Sequence, residues 1–268
     1  MIATQALLEA CILAARAGGA EILRLVEQGF DVERKDCGSP VTICDQAAEK
    51  IILAALQTAA PDVPVVAEEA HAAGRVPAHG DSFFLVDPLD GTKEFIKGGD
   101  DYTVNIGLIE NGVPTLGVVY QPVIDKLWAG LEGTGAFVEE KGAERRAIAT
   151  RARPEGRLDV VSSKSHFNPV TEDYLAEICE NYDRVPVGSS LKFCVVAEGV
   201  ADIYPRLAPT CEWDTAAGHA VLLAAGGRVD GPDGKPLGYD KPDYFNTGFC
   251  ATAGWTAPAI QPWLDREG

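Results

Sequence analysis

The chain has 268 residues, 46% of them hydrophobic and 24% charged, with 28 glycines and a formal net charge of −17. That length buries a large core, as one big domain or two intimately packed ones. The acidic balance argues against a nucleic-acid polymer as partner, because holding a phosphate backbone takes lysine and arginine. Any anionic small ligand must find local cations or metal ions to reverse the field. No run approaches the ~20 apolar residues of a membrane span. The opening stretch MIATQALLEACILAARAGGA lacks a basic start and is broken by Glu9 and Arg16, so it does not read as a signal peptide. Seven cysteines, an odd count without a CxxC pair, fit a reduced, cytoplasmic setting with structural thiols.

Residues 4–27 space their apolar groups (Leu7, Leu8, Cys11, Ile12, Ala15, Ile22, Leu23, Val26) as an amphipathic helix, which Gly18 and Gly19 weaken unless another helix packs closely there. A polar loop, 35–45, enters a second helix at about 42–58. There Thr42 and Asp45 have the outline of a capping box. A short strand, 63–67, ends at Glu68 and Glu69, and alternation sends only one of these two glutamates into a compact site while the strand persists. Residues 71–81 read as a surface loop with two solvated histidines.

Residues 83–92, FFLVDPLDGT, carry the densest chemistry. Four apolar residues form a buried strand that stops at Asp87, which Pro88 keeps extended. A tight turn through Gly91 then swings Asp90 back beside Asp87 and leaves Thr92 to begin the next element. Two carboxylates that close repel unless a cation lies between them. The arrangement suits hard divalent ions; the alternative is a capped turn with solvated acids.

TVNIGLIE and VPTLGVVY around Asn111-Gly112 form a hairpin. Residues 127–131 and 135–138 are further strands of the same meander. Residues 144–157 hold five arginines and a Pro-Gly stretch, read as a crossing between two halves, 1–150 and 151–268. Such a run is either a solvated face or a substrate contact. The second half opens with a strand at 158–162 leading into SSKSH, whose hydroxyls, Lys164 and His166 suit a phosphate or a base. A helix near 171–181 and a strand ending at Gly188 follow. Ser189 and Ser190 are placed to cap the helix FCVVAEGV. A strand at 201–207 contains Pro205, which suggests an edge or a bulge, and Arg206. Asp214 begins an Ala-rich buried helix, in which His219 is a packing residue. The rest is a Gly/Pro-rich loop at 228–240, a strand at 245–251 and a short closing helix. Strands in succession flanked by helices indicate an α+β layered fold.

DPLDGT, preceded by VAEEA (66–70) and followed by WDTAAGHA (213–220), resembles the inositol monophosphatase superfamily of metal-dependent phosphomonoesterases over almost the whole chain. The resemblance implies a layered αβαβα sandwich of the sugar-phosphatase type. It implies Glu68, Asp87, the Leu89 carbonyl, Asp90 and Asp214 as metal ligands. All are oxygen donors, so two or three Mg²⁺ ions are expected over zinc. It also implies that Glu68 and Thr92, oriented by Asp45, place and deprotonate a water, with no covalent nucleophile. Within the superfamily DPLDGTKEF, SSKSH, GSSLKFC and YPRL are most similar to the 3'(2'),5'-bisphosphate nucleotidase branch. That implies hydrolysis of adenosine 3',5'-bisphosphate to AMP, with the nucleotide held by Ser165, His166, Ser189, Lys192, Arg206 and Asp214. Pro205 stands where the branch commonly has Leu. Hydrolysis of inositol monophosphate or fructose bisphosphate is the alternative among enzymes; a metal-binding regulatory protein without turnover is the alternative of another class. A homodimer and peripheral association with the inner membrane are compatible with the resemblance alone.

Overall fold

The computed structural model describes residues 2–29, 32–34, 40–162 and 168–265. Helix α1 (Gln5–Gln28) opens the chain, and a small antiparallel ribbon of β1 (Val32–Arg34) and β2 (Pro40–Thr42) leads into α2 (Ile43–Ala59). Strand β3 (Val65–Ala67), the short helix α3 (Glu68–Ala72), β4 (Ser82–Asp90) and the short helix α4 (Thr92–Ile96) come next. A meander follows: β5 (Thr103–Glu110), β6 (Val113–Gln121), β7 (Lys126–Leu131), β8 (Gly135–Glu140) and β9 (Arg146–Ile148). The remainder runs β10 (Leu158–Ser162), α5 (Pro169–Ala176), β11 (Tyr182–Pro186), α6 (Leu191–Ala197), β12 (Ile203–Arg206) and β13 (Thr210–Cys211). It closes with α7 (Ala216–Ala224), β14 (Arg228–Asp230), β15 (Phe245–Asn246), β16 (Phe249–Thr252) and α8 (Gln261–Leu264).

Strands β3 to β9 form one sheet in sequence order, parallel only between β3 and β4. A second, mixed sheet has the order β11-β10-β12-β16-β14. Period-two alternation sorts the side chains of each sheet onto two faces. Phe84, Val86, Ile106 and Val118 pack with α1 and α2, whereas Phe83, Leu85 and Val119 face the other way. In the second sheet Val161, Tyr204 and Phe249 pack with α6 and α7, while Val160, Ile203 and Cys250 pack with α5 and α8. The result is the five-layer αβαβα sandwich.

The middle layer sits close to the first sheet because of three glycines. Gly107, Gly117 and Gly130 stand side by side on β5, β6 and β7. A Cβ on Gly117 would lie 2.2 Å from the Ala217 carbonyl oxygen, and one on Gly107 2.7 Å from the Ala216 Cβ. The missing side chains let α7 lie directly on the strands. In the same way Gly18 admits Ile52 and Gly19 admits Tyr120.

Several expectations are corrected. His71 and His79 are not solvated: the His71 ring lies 4.9 Å from that of Trp213, and His79 stacks on Phe83 and bonds the Tyr244 hydroxyl at 2.7 Å. Ser189 and Ser190 do not cap α6, whose first turn has no side-chain cap; the chain turns at Ser189 (φ +53°) and both hydroxyls point at β5. Pro205 lies on β12, in the centre of its sheet rather than at an edge. Its missing N–H is tolerated because the pairing of β10 with β12 is confined to Val160 and Ile203. Of the arginine-rich crossing, Arg146 to Ile148 form β9, and Arg151 binds Asp159 and the buried Asp202. Arg145 and Arg146 pair with Glu9 and Glu198, Arg157 pairs with Asp183, and Arg153 lies over Trp255. The arginines of that run fasten the fold.

Candidate active site

The strand β4 does not stop at Asp87; it continues to Asp90 with a break in register. Asp87 pairs with Asn105 and Asp90 with Thr103, so one extra residue is inserted on β4 between the two aspartates. In a regular strand residues three apart point to opposite faces. The bulge shifts the parity by one and turns both carboxylates to the same side, toward the second sheet. Gly91 then takes φ +93°, which a side chain would resist, and Thr92 begins α4.

Glu68 arrives differently. The strand β3 ends at Ala67 and α3 starts at Glu68, so alternation no longer decides between the two glutamates. Glu69 is buried, not at the surface, and its N–H donates to the Glu49 carboxylate of α2 at 2.8 Å. The helix α3 has no cap of its own, and Glu49 supplies the acceptor. Asp214 precedes α7 by two residues and is not its N-cap, which is Thr215. Its Oδ2 instead accepts from the Thr210 hydroxyl and the Cys211 N–H, which pins the loop after β13.

Asp45 makes the capping contacts and also faces Thr92. Its Oδ2 accepts from the Thr42 N–H and hydroxyl at 2.7 Å, completing the capping box of α2, while its Oδ1 faces the Thr92 hydroxyl at 3.5 Å. The same hydroxyl donates to the Leu89 carbonyl at 3.1 Å, and the Leu89 N–H donates to Asp87 at 2.9 Å.

A cavity of about 380 Å³ is lined by Glu68, Asp90, Thr92 and Asp214 together with Ser189, Lys192 and Arg206, and the two sets touch where the Ser189 hydroxyl donates to Asp90. Asp45, Asp87 and Leu89 are buried beside these acids and do not line the cavity. The expected contacts Ser165 and His166 lie outside the described residues. Lys93 is exposed at the rim.

The acids and Lys192 are shifted in opposite directions. Burial pushes the Asp87 carboxyl well up, and the facing charges of Glu68, Asp90 and Asp214 push it further. Asp214 is pushed up to about 7 by burial, then by Asp90 and Glu68, against the bonds from Thr210 and Cys211. Opposite them, burial lowers the Lys192 ammonium to about 8, and Asp90 partly offsets the loss. Lys192 donates to the Ser189 carbonyl and lies over the Tyr204 ring; Arg206 donates to the Ala208 and Pro209 carbonyls at 3.2 and 3.0 Å. His219 is buried at a distance from this chemistry, bonded to Tyr239 and lowered to about 3, as a packing residue should be.

Among the described residues no three of the acids have closed into a finished cage. The donor set nevertheless fits a hard divalent cation: Glu68, Asp87, Asp90, Asp214 and the Leu89 carbonyl are all oxygen donors, and the buried Asp87 and Asp214 are penalised by the charges of their acidic neighbours.

Thr103 and Asn105 were not among the expected residues. Both are fully buried on β5 and join Ser189 and Ser190. The sequence did carry a signal: in TVNIGLI the apolar residues alternate with Thr103, Asn105 and Gly107, so this strand shows a polar face where a buried strand needs none. Asp101, which accepts the Gly188 N–H at 2.7 Å, had no such pattern.

The inositol monophosphatase family profile matches residues 4–263. The 3'(2'),5'-bisphosphate nucleotidase CysQ of Salmonella typhimurium is 46% identical over 247 residues, covering 91% of this chain and 98% of that protein. The enzyme of the same name from Escherichia coli is 46% identical over 244 residues, covering 90% and 97%. Among solved structures, CysQ from Bacteroides thetaiotaomicron superposes with a TM-score of 0.79 at 39% identity, covering 94% of this chain and 98% of that one. An inositol monophosphatase from Anabaena gives 0.73 at 28% identity, covering 98% and 94%. The fold, the order of the acidic motifs and these likenesses agree: the chain belongs to the inositol monophosphatase family.

Proposed function

We propose that the chain is a 3'(2'),5'-bisphosphate nucleotidase that hydrolyses adenosine 3',5'-bisphosphate to AMP and phosphate with the help of Mg²⁺. One observation supports the reading: beside the acids suited to a reacting phosphate and its counter-ions, the same cavity is lined by two cations, Lys192 and Arg206. A phosphate that does not react needs a cation of its own, and the acids offer none.

Glu68, Asp87, Asp90, Asp214 and the Leu89 carbonyl are the residues that would hold two or three Mg²⁺ ions. Bound there, the ions supply a lowered pKa for the attacking water and charge stabilisation for the leaving ester oxygen. Thr92 and Glu68 position the water and take its proton. The Thr92 hydroxyl has two acceptors, Leu89 O and Asp45 Oδ1. When its proton points to Asp45, its lone pairs are available to the water, so Asp45 fixes the direction in which Thr92 acts. The water oxygen bonds to phosphorus, the bond to the 3' oxygen breaks, and that oxygen takes a proton from solvent water as it leaves, while Glu68 gives the proton it took back to solvent. Lys192 and Arg206 hold the 5'-phosphate, Arg206 through parallel N–H donors and Lys192 as a point charge, while the Ser189 hydroxyl, expected as a further contact, donates to Asp90.

The test uses Lys192→Ala and Arg206→Ala, each assayed on adenosine 3',5'-bisphosphate and on inositol 1-phosphate. Each loss on the nucleotide should cost about 1.5–3 kcal/mol of binding, the worth of a charge-assisted hydrogen bond. The monophosphate has no second phosphate and should lose far less. Equal losses on both substrates would leave a general sugar or inositol phosphatase. Among the described residues no helix is long and apolar enough to cross a membrane.

A further inference from the structure

Five polar contacts link β5 to the turn before α6 and end on Asp90. The Ser189 hydroxyl donates to Asp90 Oδ2 at 2.7 Å and lies 2.6 Å from the Thr103 hydroxyl. Thr103 Oγ1 lies 2.8 Å from Ser190 Oγ and 3.0 Å from the carboxamide of Asn105, which Ser190 Oγ also meets at 2.7 Å. Thr103 and Asn105 are completely buried and Ser190 is nearly so. Water therefore supplies no missing proton at that end.

The protons can be counted. Three hydroxyls offer three protons to five contacts, so with the Asn105 oxygen turned to the hydroxyls two short contacts would be lone pair against lone pair. In that orientation the Asn105 nitrogen is also buried without a partner. A carboxamide turned by half a rotation occupies the same space. Its NH₂ then brings two further protons to the same place, and five protons serve five contacts. Each direction is now forced. Asn105 donates to Ser190 and Thr103, Ser190 donates to Thr103, Thr103 to Ser189, and Ser189 to the Asp90 carboxylate.

We propose that Asn105 and Thr103 are positioning residues at the head of a one-way hydrogen-bond chain that sets Asp90 and the Lys192-bearing turn together. Ser189 is where the two effects meet. Its hydroxyl ends on Asp90, and its carbonyl accepts from Lys192. Its backbone is held at φ +53°, a conformation a serine keeps only when its surroundings fix it. With Ser189 fixed, Asp90 Oδ2 is occupied and Oδ1 is left as its metal-facing oxygen. At the same time the Ser189 carbonyl holds the Lys192 ammonium in place. The chain thereby couples the grip on the cation to the grip on the second phosphate. This rests on the reading of Asp90 as a metal ligand and Lys192 as a phosphate contact.

The test compares Thr103→Val, which keeps the shape and breaks the chain, with Thr103→Ser, which keeps the hydroxyl. Mg²⁺ binding is read by calorimetry on the protein without substrate, and KM and kcat on adenosine 3',5'-bisphosphate at saturating Mg²⁺. Thr103→Val should weaken Mg²⁺ binding and raise KM, each about ten-fold, as expected for losing the support of one charge-assisted hydrogen bond. Thr103→Ser should restore both. Equal damage from Val and Ser would assign Thr103 to packing and overturn the chain. So would a Thr103→Val protein with unaltered Mg²⁺ affinity, or one in which only one of the two quantities moves. If Thr103→Val does not fold, Thr103→Cys, with a weakly donating thiol of similar size, is judged by the same criteria. Wild-type protein that binds Mg²⁺ but leaves the bisphosphate intact would overturn the substrate reading alone, and the Mg²⁺ titrations would then decide the chain by themselves.

Discussion

The Thr92 hydroxyl stands 3.1 Å from one acceptor and 3.5 Å from another, and its role depends on which receives its proton. Thr92→Val keeps the shape of the side chain and removes that choice. Turnover on the bisphosphate should fall by about 10²–10⁴, the usual range for a positioned proton-handling group. Mg²⁺ affinity, measured by calorimetry, should be little changed. If affinity collapses while turnover at saturating Mg²⁺ is normal, Thr92 supports the site's structure instead. Asp45 shows how one residue can satisfy two readings of a sequence: one oxygen caps α2 and the other faces Thr92. Capping and orienting do not compete, because a carboxylate has two oxygens.

At the scale of elements, the bulge in β4 and the glycine row under α7 determine where the chemistry sits. The bulge brings two acids to one face, and the row lets the helix that follows Asp214 approach the strand that carries Asn105. Gly117→Ala would place a methyl 2.2 Å from the Ala217 carbonyl oxygen and 2.7 Å from the Ala220 Cβ. Neither neighbour is the mobile end of a long side chain, so the helix must move. The variant should lose about 1–3 kcal/mol of stability, the ordinary cost of overpacking, measured by denaturant unfolding. A shift of α7 would also carry Asp214, so Mg²⁺ binding should weaken with it. Unchanged stability would show that the helix is not seated on the glycines.

For the whole molecule, the charge balance is resolved locally. The net charge is −17, and four of the carboxylates counted in it, Glu68, Asp87, Asp90 and Asp214, act on one another at the site. Asp214 is raised to about 7 and Asp87 is raised too, so the metal-free folded protein holds protons that the unfolded chain releases near its ordinary value of about 4. Where the native state binds more protons, stability falls as pH rises. The contribution of these groups is therefore full below about pH 4 and is lost as pH rises through about 7. Magnesium removes the repulsion and binds only the ionised form. The gain in Tm on adding Mg²⁺ should therefore grow from pH 5 to pH 8; a gain that stays constant would show that the acids do not share one ion site. The arginines of residues 145–157 take no part in this balance. They pair with Glu9, Glu198, Asp202 and Asp183 across the fold, away from the cavity.

The sequence by itself determined what local chemistry controls. The Asn111-Gly112 hairpin forms because both residues adopt positive φ, at +54° and +75°. The apolar alternation placed the strands, Thr42 and Asp45 marked the start of α2, and the order of three acidic motifs identified the family. Only the tertiary structure decided which side chains meet. No periodicity shows that one extra residue turns Asp87 and Asp90 to the same face, because the extra residue is defined only against β5. Ser189 reads locally as a helix cap, but a partner 99 positions away, Asp90, takes its hydroxyl instead. Pro205 reads as an edge residue, yet it sits in a central strand beside a neighbour whose pairing has ended. In each case the missing information is a distance between segments remote in the chain, and packing of the two sheets around α6 and α7 sets that distance.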